Sequence, residues 1–198
     1  MRKSLALMLA SVVMMLGLAG CGSGESAVTA TTIEIRKDGS VIHTIVEEFS
    51  EDYYDVEALG REIQDACDSY NATAGSGAVA TGEVEVTDGV LTVQMTYQNA
   101  SAYAGFNKQA LFTGSVKDAY NAGYDLDVTL YSIQDDGEAI GKEDLLNMGE
   151  KHIVILREAV DVRVWNKVLY VSGDVVKTGD SRLVMVGGGN ELSYIVFE

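Results

Sequence analysis

Residues 84–97, VEVTDGVLTVQMTY, contain the clearest structural signal in the chain. Apolar and polar residues alternate on both sides of Asp88-Gly89, a dipeptide typical of two-residue turns between antiparallel strands. Such a turn pairs Val86 with Leu91 and collects apolar residues of both arms on one face. That face consists of Val84, Val86, Leu91, Val93, Met95 and Tyr97. The stretch therefore predicts a β-hairpin with one buried face.

A second Asp-Gly dipeptide, at 38–39, separates two more alternating segments. With a two-residue turn, Ile35 pairs with Ile42 on one face and Glu34 pairs with His43 on the other. Opposite charges across a strand pair are an ordinary way of stabilising a sheet. The pattern therefore predicts a second hairpin, in which His43 forms a cross-strand charge pair and has no catalytic role.

The hydrophobic period changes from two to about 3.6 residues over 54–71, where apolar residues recur at intervals of three and four. The resulting stripe consists of Val56, Leu59, Ile63, Ala66, Cys67 and Tyr70. Charged residues fill the opposite face. The segment predicts one long helix packed on a face of the sheet. Cys67, within the stripe, is expected to be buried and unreactive, since free cysteine behaves as a small apolar residue.

Shorter helices are predicted over 101–108, 115–122 and 141–148, with Ser101 and Ser115 as N-caps of the first two. From His152 onward the pattern is that of strands. Residues 153–156, IVIL, predict a central strand buried on both faces, because the apolar run is continuous.

Four alternating segments follow, at 160–165, 167–172, 182–186 and 192–197. They predict two more hairpins, one turning at Asn166-Lys167 and one around the glycines at 187–189. Hairpins, interrupted by helices and followed by a block of strands, are typical of an α+β fold. The expected architecture is a largely antiparallel sheet built from hairpins, one long helix over about 54–71 on a face, and a β-rich C-terminal third.

The first 24 residues, MRKSLALMLASVVMMLGLAGCGSG, have a different character. Arg2 and Lys3 precede an apolar run over 5–18, which is shorter than the ~20 residues of a membrane-spanning helix. Small residues and Cys21 end the run. A charged start, a short apolar middle and a small-residue exit are the parts of a secretory signal peptide.

The tetrapeptide Leu18-Ala19-Gly20-Cys21 resembles the lipobox of bacterial lipoproteins. The resemblance implies cleavage before Cys21 and attachment of lipid to its thiol, and two or more acyl chains anchor a protein stably. The expected organisation is a signal peptide over 1–20, lipidated Cys21 with a flexible tether over 21–30, and one domain over 31–198. The domain resembles surface lipoproteins of Gram-positive bacteria that carry no known activity. The expected location is the extracytoplasmic face of the cell membrane.

The chain has 30 acidic and 14 basic residues, which give a net charge of −16. Such a charge argues against nucleic acid as a partner, because phosphates need Lys and Arg. It is typical of a protein kept dispersed by self-repulsion. The two cysteines are Cys21 and Cys67, so lipidation of Cys21 leaves no pair for an internal disulfide.

No motif of an established chemistry is present in the sequence. The nucleophile elbow, the P-loop, the dinucleotide fingerprint and clustered zinc ligands are all missing. Acidic clusters occur at Asp125/Asp127 and at Asp135/Asp136/Glu138, and they are interpreted as solvated turns, with calcium as the alternative. No catalytic residue, cofactor or metal site is therefore expected.

Two groups of residues are candidates for contact with a ligand or partner. Aromatic and amide residues are dense over 97–124, where Tyr103, Tyr120 and Tyr124 suit a sugar or peptide. The predicted hairpin at Asn166-Lys167 places Arg163 beside Tyr170 and Trp165 beside Val168. Trp, Tyr and Arg are the residues enriched in binding hot spots. The alternatives for Trp165 are cover by a second layer, or stacking of Arg163 on Tyr170.

The expected function is that of a membrane-anchored, non-enzymatic module that binds an envelope protein, a peptide or a glycan. Two alternatives remain open. One is an envelope enzyme acting on glycans through carboxylates that no motif reveals. The other is a structural or assembly subunit that pairs through a strand edge.

Overall fold

The structure is a computed structural model that describes residues 30–49, 55–134, 137–189 and 191–198. The expected signal peptide, the expected lipidation site Cys21 and all of the expected tether except Ala30 lie outside the described residues, as do Asp135 and Asp136. In the described part of the chain, no helix is both long and apolar enough to cross a membrane.

The described residues form thirteen strands and four helices. The strands are β1 (Thr32–Ile35), β2 (Val41–Glu48), β3 (Val79–Thr87), β4 (Val90–Tyr97), β5 (Leu111–Ser115), β6 (Leu130–Ser132), β7 (Ala139–Ile140), β8 (His152–Leu156), β9 (Asp161–Arg163), β10 (Val168–Val171), β11 (Val175–Lys177), β12 (Leu183–Val186) and β13 (Ser193–Phe197). The helices are α1 (Val56–Ala74), α2 (Ala100–Asn107), α3 (Val116–Asn121) and α4 (Lys142–Asn147).

The strands form two sheets. Sheet A has seven strands in the order β11-β12-β9-β1-β2-β4-β3, and sheet B has six in the order β5-β8-β13-β10-β6-β7. All strand pairs are antiparallel except β1 with β9. The fold is α+β, with a C-terminal part rich in strands, as the sequence predicts.

The main core lies between the two sheets. Ile33, Val162 and Val184 of sheet A pack in one cluster with Val154 and Ile195 of sheet B, and all five are fully buried. The helices α1 and α2 contribute to the same cluster. Burial of apolar side chains in such a core is the dominant contribution that favours folding.

A second core covers the opposite face of sheet B. Ile153 and Ile155 of β8 point into it, where they meet Val116 and Ala119 of α3 and Leu145 of α4. Strand β8 is therefore buried on both faces, which confirms the prediction from its continuous apolar run.

The hairpin β3–β4 has the predicted register, with Val86 opposite Leu91 and Val84 opposite Val93. Asp88 and Gly89 have φ angles of 52° and 76°, as a two-residue turn of the primed type requires. The pairing next to this turn is therefore the one that the sequence predicts. Further along, a bulge between Thr81 and Val84 shifts the register.

The register predicted for the first hairpin is wrong by one residue. Ile35 pairs with Val41, and His43 pairs with Ile33 instead of Glu34. The turn has three residues, with Gly39 at φ 87° as its last, and the N–H of Arg36 closes it on the carbonyl oxygen of Ser40. A one-residue shift moves a side chain to the other face of a strand, so His43 points into the core.

Both predicted C-terminal hairpins are wrong as well. Strand β9 lies in sheet A and β10 in sheet B, and the same is true of β12 and β13. Each connection therefore crosses between the sheets. The glycine-rich crossover passes close to Ala159: a Cβ on Gly188 would lie 2.6 Å from Ala159 Cβ, and Gly188 has φ 71°. Only glycine fits there without displacement.

Helix α1 lies against the edge strand β3. Its range, Val56–Ala74, overlaps the helix that the sequence predicts over 54–71. Asp55 caps its N-terminus by accepting a hydrogen bond from the N–H of Ala58. Cys67 is its one buried residue, as predicted, while Ala66 of the predicted stripe is exposed. The side-chain amide of Asn71 pairs with both backbone groups of Val79, at 2.8 and 2.9 Å, and so occupies hydrogen-bonding positions at the start of β3.

The short helices begin and end close to their predicted positions. Ser115 caps α3 in a capping box with Asp118, as expected, whereas Asn99 and not Ser101 caps α2. Burial raises the pKa of the Cys67 thiol, and its lack of reactivity stays a prediction.

Candidate functional site

An open depression of about 560 Å³ lies at one end of sheet A, beside Trp165. Parallel strands end at the same edge of a sheet, so β1 and β9 end together there, and the antiparallel β12 begins there. Arg36 follows β1, Arg163 ends β9 and Arg182 precedes β12. Strand pairing thus brings together three arginines that are far apart in the sequence.

One carboxylate, that of Asp180, interacts with two of these arginines. Asp180 accepts a 2.7 Å hydrogen bond from Arg163 Nη1, and its other oxygen accepts one from the backbone N–H of Arg182. These two bonds, that of Arg163 first, hold the pKa of Asp180 below its usual value. The Nε atom of Arg182 lies 3.8 Å from the same carboxylate. The Asp180 carboxylate therefore forms a hydrogen bond with the guanidinium group of Arg163 and lies within ion-pair distance of that of Arg182.

Arg36 and Lys37 extend the basic surface along the turn. Arg36 Nε donates to Glu34 at 3.2 Å, and Lys37 has no ion-pair partner among the described residues. The Asp38 carboxylate accepts from the hydroxyl and N–H of Ser40, and these bonds lower the pKa of Asp38. Asp38 therefore stabilises the turn through Ser40, and its carboxyl group stays ionised.

The depression is locally positive in a strongly negative chain. Its basic residues are Arg36, Lys37, Arg163 and Arg182, and the acidic residues beside them are Glu34, Asp38 and Asp180. Four positive charges face three negative ones, whereas the whole chain carries −16. A ligand that reaches this surface meets donors in excess of acceptors.

Trp165 forms the apolar part of the depression. Its ring lies 4.6 Å from that of Phe197 and 4.7 Å from that of His152, measured between centroids. Both rings belong to strands of sheet B, His152 to β8 and Phe197 to β13. The indole is half-buried and packed on two sides, so it presents a fixed surface.

The predicted contact residues are only partly brought together. Arg163 and Trp165 line the same depression, though not through the hairpin that the sequence predicts. Tyr170 lies in sheet B, with its hydroxyl donating to Glu138 at 3.4 Å, and is not beside Arg163.

The three tyrosines of 97–124 do not converge. Tyr103 is fully buried in the main core, and Tyr120 is 56% exposed on α3. Tyr124 packs on Phe112 with ring centroids 4.8 Å apart, beside the second core. They share no surface to which one ligand binds.

A buried polar group that the sequence does not reveal lies between sheet A and α2. His43 is 4% exposed, and neither ring nitrogen has a hydrogen-bond partner among the residues that the structure describes. Its ring contacts that of Tyr103, whose hydroxyl donates to Glu158. Burial lowers the pKa of His43 to about 4. The imidazole is therefore neutral at physiological pH.

The remaining polar clusters serve turns. In a second depression, the Asp174 carboxylate accepts from the hydroxyls of Ser172 and Ser193. Asp125 accepts from the N–H of Asp127, so this acidic pair forms a local turn. In the part of the chain that the structure describes, no three metal-ligating side chains are placed to hold an ion.

Comparison with protein family models, with curated proteins and with solved structures finds no match to this chain. The depression is therefore interpreted from its own chemistry. Sequence reasoning finds Arg163 and Trp165 but misses Arg36, Lys37 and Arg182. The signal that marks them is the position of basic residues beside strand ends in an acidic chain.

Proposed function

We propose that the chain is a lipid-anchored protein of the extracytoplasmic membrane face, which binds an envelope partner through the depression beside Trp165 without catalysing a reaction. The lipobox pattern ending at Cys21 supports the anchor. The observation that carries the binding role is the meeting of three arginines and a fixed indole on one open surface. Arginine and tryptophan beside each other are typical of binding surfaces.

The carboxylates at the depression favour binding over catalysis. Asp180 is bonded to Arg163 and to the backbone of Arg182, and Asp38 is bonded to Ser40. Glu34 forms an ion pair with Arg36. The pKa values of Asp180 and Asp38 are both lowered by these bonds, whereas a general acid needs a raised pKa.

The position of the depression suits an anchored protein. The described chain begins at Ala30 and enters β1 at Thr32, whereas the depression lies at the other end of β1. Four residues of a strand span about 13 Å. A tether from Cys21 would join the domain at the first end of β1, which is the end opposite to the depression.

Fractionation of cells that produce the full chain tests the anchor. Wild type should sediment with membranes and dissolve only in detergent, and Cys21→Ser should leave the membrane fraction or accumulate unprocessed. Intact-mass analysis should give a lipidated N-terminal Cys21. An unmodified thiol at that position contradicts the anchor.

Co-sedimentation of purified protein with protein-depleted cell envelopes tests the binding role. Wild type should bind, and Arg182→Gln should bind at least severalfold more weakly. Arg61→Gln is the matched control, since Arg61 also forms an exposed ion pair but lies on α1. Equal binding by both variants, or release of soluble envelope fragments by the wild type, contradicts the proposal.

A further inference from the structure

The arginines at the depression have donors that the protein does not use. A guanidinium group has five N–H donors. Arg36 uses Nε toward Glu34, and its Nη atoms have no hydrogen-bond partner among the described residues. The side chain of Arg182 only approaches Asp180, at 3.8 Å. Two guanidinium forks therefore remain available, and such forks match phosphate and carboxylate groups.

The charge distribution of the whole chain restricts where an anion can bind. Three of the six arginines lie at this depression, while acidic residues outnumber basic ones by 30 to 14 overall. An anion is repelled by most of this surface and attracted only where the local potential is positive. Among the described residues that line or adjoin the depression, basic residues exceed acidic ones by four to three.

The depression has room for a ligand larger than a free ion. It measures about 560 Å³, within the range of small-molecule sites, and Trp165 supplies an apolar surface beside the guanidinium groups. The carboxylates of Glu34 and Asp180 add acceptors for hydroxyl donors and would repel a run of negative charges. This lining suits one anionic group on a ring that carries hydroxyls.

We propose that the depression binds a sugar unit bearing a single phosphate or carboxylate group, with its anion on Arg36 and Arg182 and its ring against Trp165. The inference rests on the proposed binding function and names the class of its ligand. Phosphate and carboxylate share the chemistry that a guanidinium fork recognises.

The test uses the one tryptophan of the chain as a reporter. In ¹⁵N-labelled protein, the indole N–H of Trp165 gives a single signal at the site. Glucose 6-phosphate and glucuronate are titrated separately to about 20 mM, a range suited to weak binding. Each should shift the signal along a saturable curve, and their comparison distinguishes phosphate from carboxylate. Glucose at the same concentration should leave the signal in place.

Variants assign the binding to the arginines. Arg36→Gln and Arg182→Gln should each raise the dissociation constant about fivefold to tenfold, as expected for loss of an exposed charged hydrogen bond. Arg61→Gln should leave it unchanged. Both site arginines are about half exposed or more, so the fold should persist, and a thermal melt of each variant checks this.

Four results would overturn the inference. They are no shift with either anionic sugar, equal shifts with glucose, no effect of the arginine variants, and saturable shifts with a glutamate hexapeptide but not with sugars. The last would assign the site to acidic peptides. If envelopes bind through Arg182 but anionic sugars do not, the inference fails and the proposed function stands. If the sugars bind but Cys21 is unmodified and envelopes are not retained, the proposed function fails.

Discussion

The hydroxyl of Tyr103 donates a 2.7 Å hydrogen bond to Oε2 of Glu158, a residue 55 positions further along the chain. Tyr103 is fully buried on α2, and Glu158 is half-buried in the connection that follows β8. The bond therefore connects α2 to the segment that crosses from β8 of sheet B to β9 of sheet A. Burial raises the pKa of Glu158, and the bond from Tyr103 opposes that rise.

Tyr103→Phe should lower the free energy of unfolding by about 1–2 kcal/mol, because the half-buried carboxylate loses a donor. Removal of the donor should also raise the pKa of Glu158, measured from its carboxyl carbon by NMR. Tyr131→Phe is the control, since Tyr131 is exposed and its hydroxyl has no partner among the described residues. Equal loss of stability in both variants would show that the bond contributes nothing specific.

His43 should make the fold sensitive to acid. Burial lowers its pKa from 6.5 to about 4, so between these values the unfolded chain binds a proton that the folded chain does not. Stability is therefore lost as the pH falls through this window, by up to about 3 kcal/mol. Urea unfolding at several pH values measures the loss.

His43→Leu isolates this contribution from that of other titrating groups. The raised pKa values of Glu47, Glu158 and Asp161 act in the opposite direction, but they act in both proteins. The variant should be about 1–3 kcal/mol more stable at pH 7, because a buried imidazole without hydrogen bonds is removed. Its advantage should grow toward pH 4. A constant difference across the window would mean that His43 does not titrate as described.

The two Asp-Gly turns show how far local sequence predicts this fold. At Asp88-Gly89 both residues have positive φ and the predicted register is right. At the other dipeptide Asp38 bonds to Ser40, only Gly39 has positive φ, and the turn has three residues. The same dipeptide therefore gave two registers, and the difference put His43 in the core.

The C-terminal strands show what alternation does not contain. Alternation of apolar and polar residues indicates which face of a strand is buried. It does not indicate whether the next strand pairs in the same sheet or lies in the opposing sheet, because the apolar face can be buried in either case. Strands β9 and β10 are separated by four residues but belong to different sheets. The packing of Trp165 on Phe197 favours the crossover, and no local pattern reports that contact.

The candidate site depends on long-range pairing for the same reason. Arg163 and Arg36 line the same depression because β9 pairs in parallel with β1, about 130 residues earlier in the chain. Single-sequence patterns reveal strands but not their order in a sheet. Residues at strand ends were therefore the part of the site that the sequence could not assemble.

Gly188→Ala tests the crossover after β12. The added Cβ would lie 2.6 Å from Ala159 Cβ and 2.9 Å from its backbone, and φ 71° disfavours any side chain. Displacement of packed backbone should cost about 2–4 kcal/mol of stability. Gly123→Ala is the matched control, because Gly123 also has a positive φ, 85°, but nothing lies within 4 Å of its Cβ position. A Gly188→Ala protein as stable as the control would place this loop elsewhere, as in the predicted hairpin.

Quenching of Trp165 fluorescence should report the local sign of charge. Iodide should quench it more effectively than caesium, each relative to free N-acetyltryptophanamide, although the chain carries −16. The reason is that nearby arginines determine the potential within a Debye length of about 10 Å. The preference for iodide should shrink as inert salt is added. In a protein with both Arg36→Gln and Arg182→Gln it should reverse, whereas Arg61→Gln should retain it. Preferential quenching of the wild type by caesium would mean that the acidic surface governs the approach to Trp165, and the depression would then not attract anions.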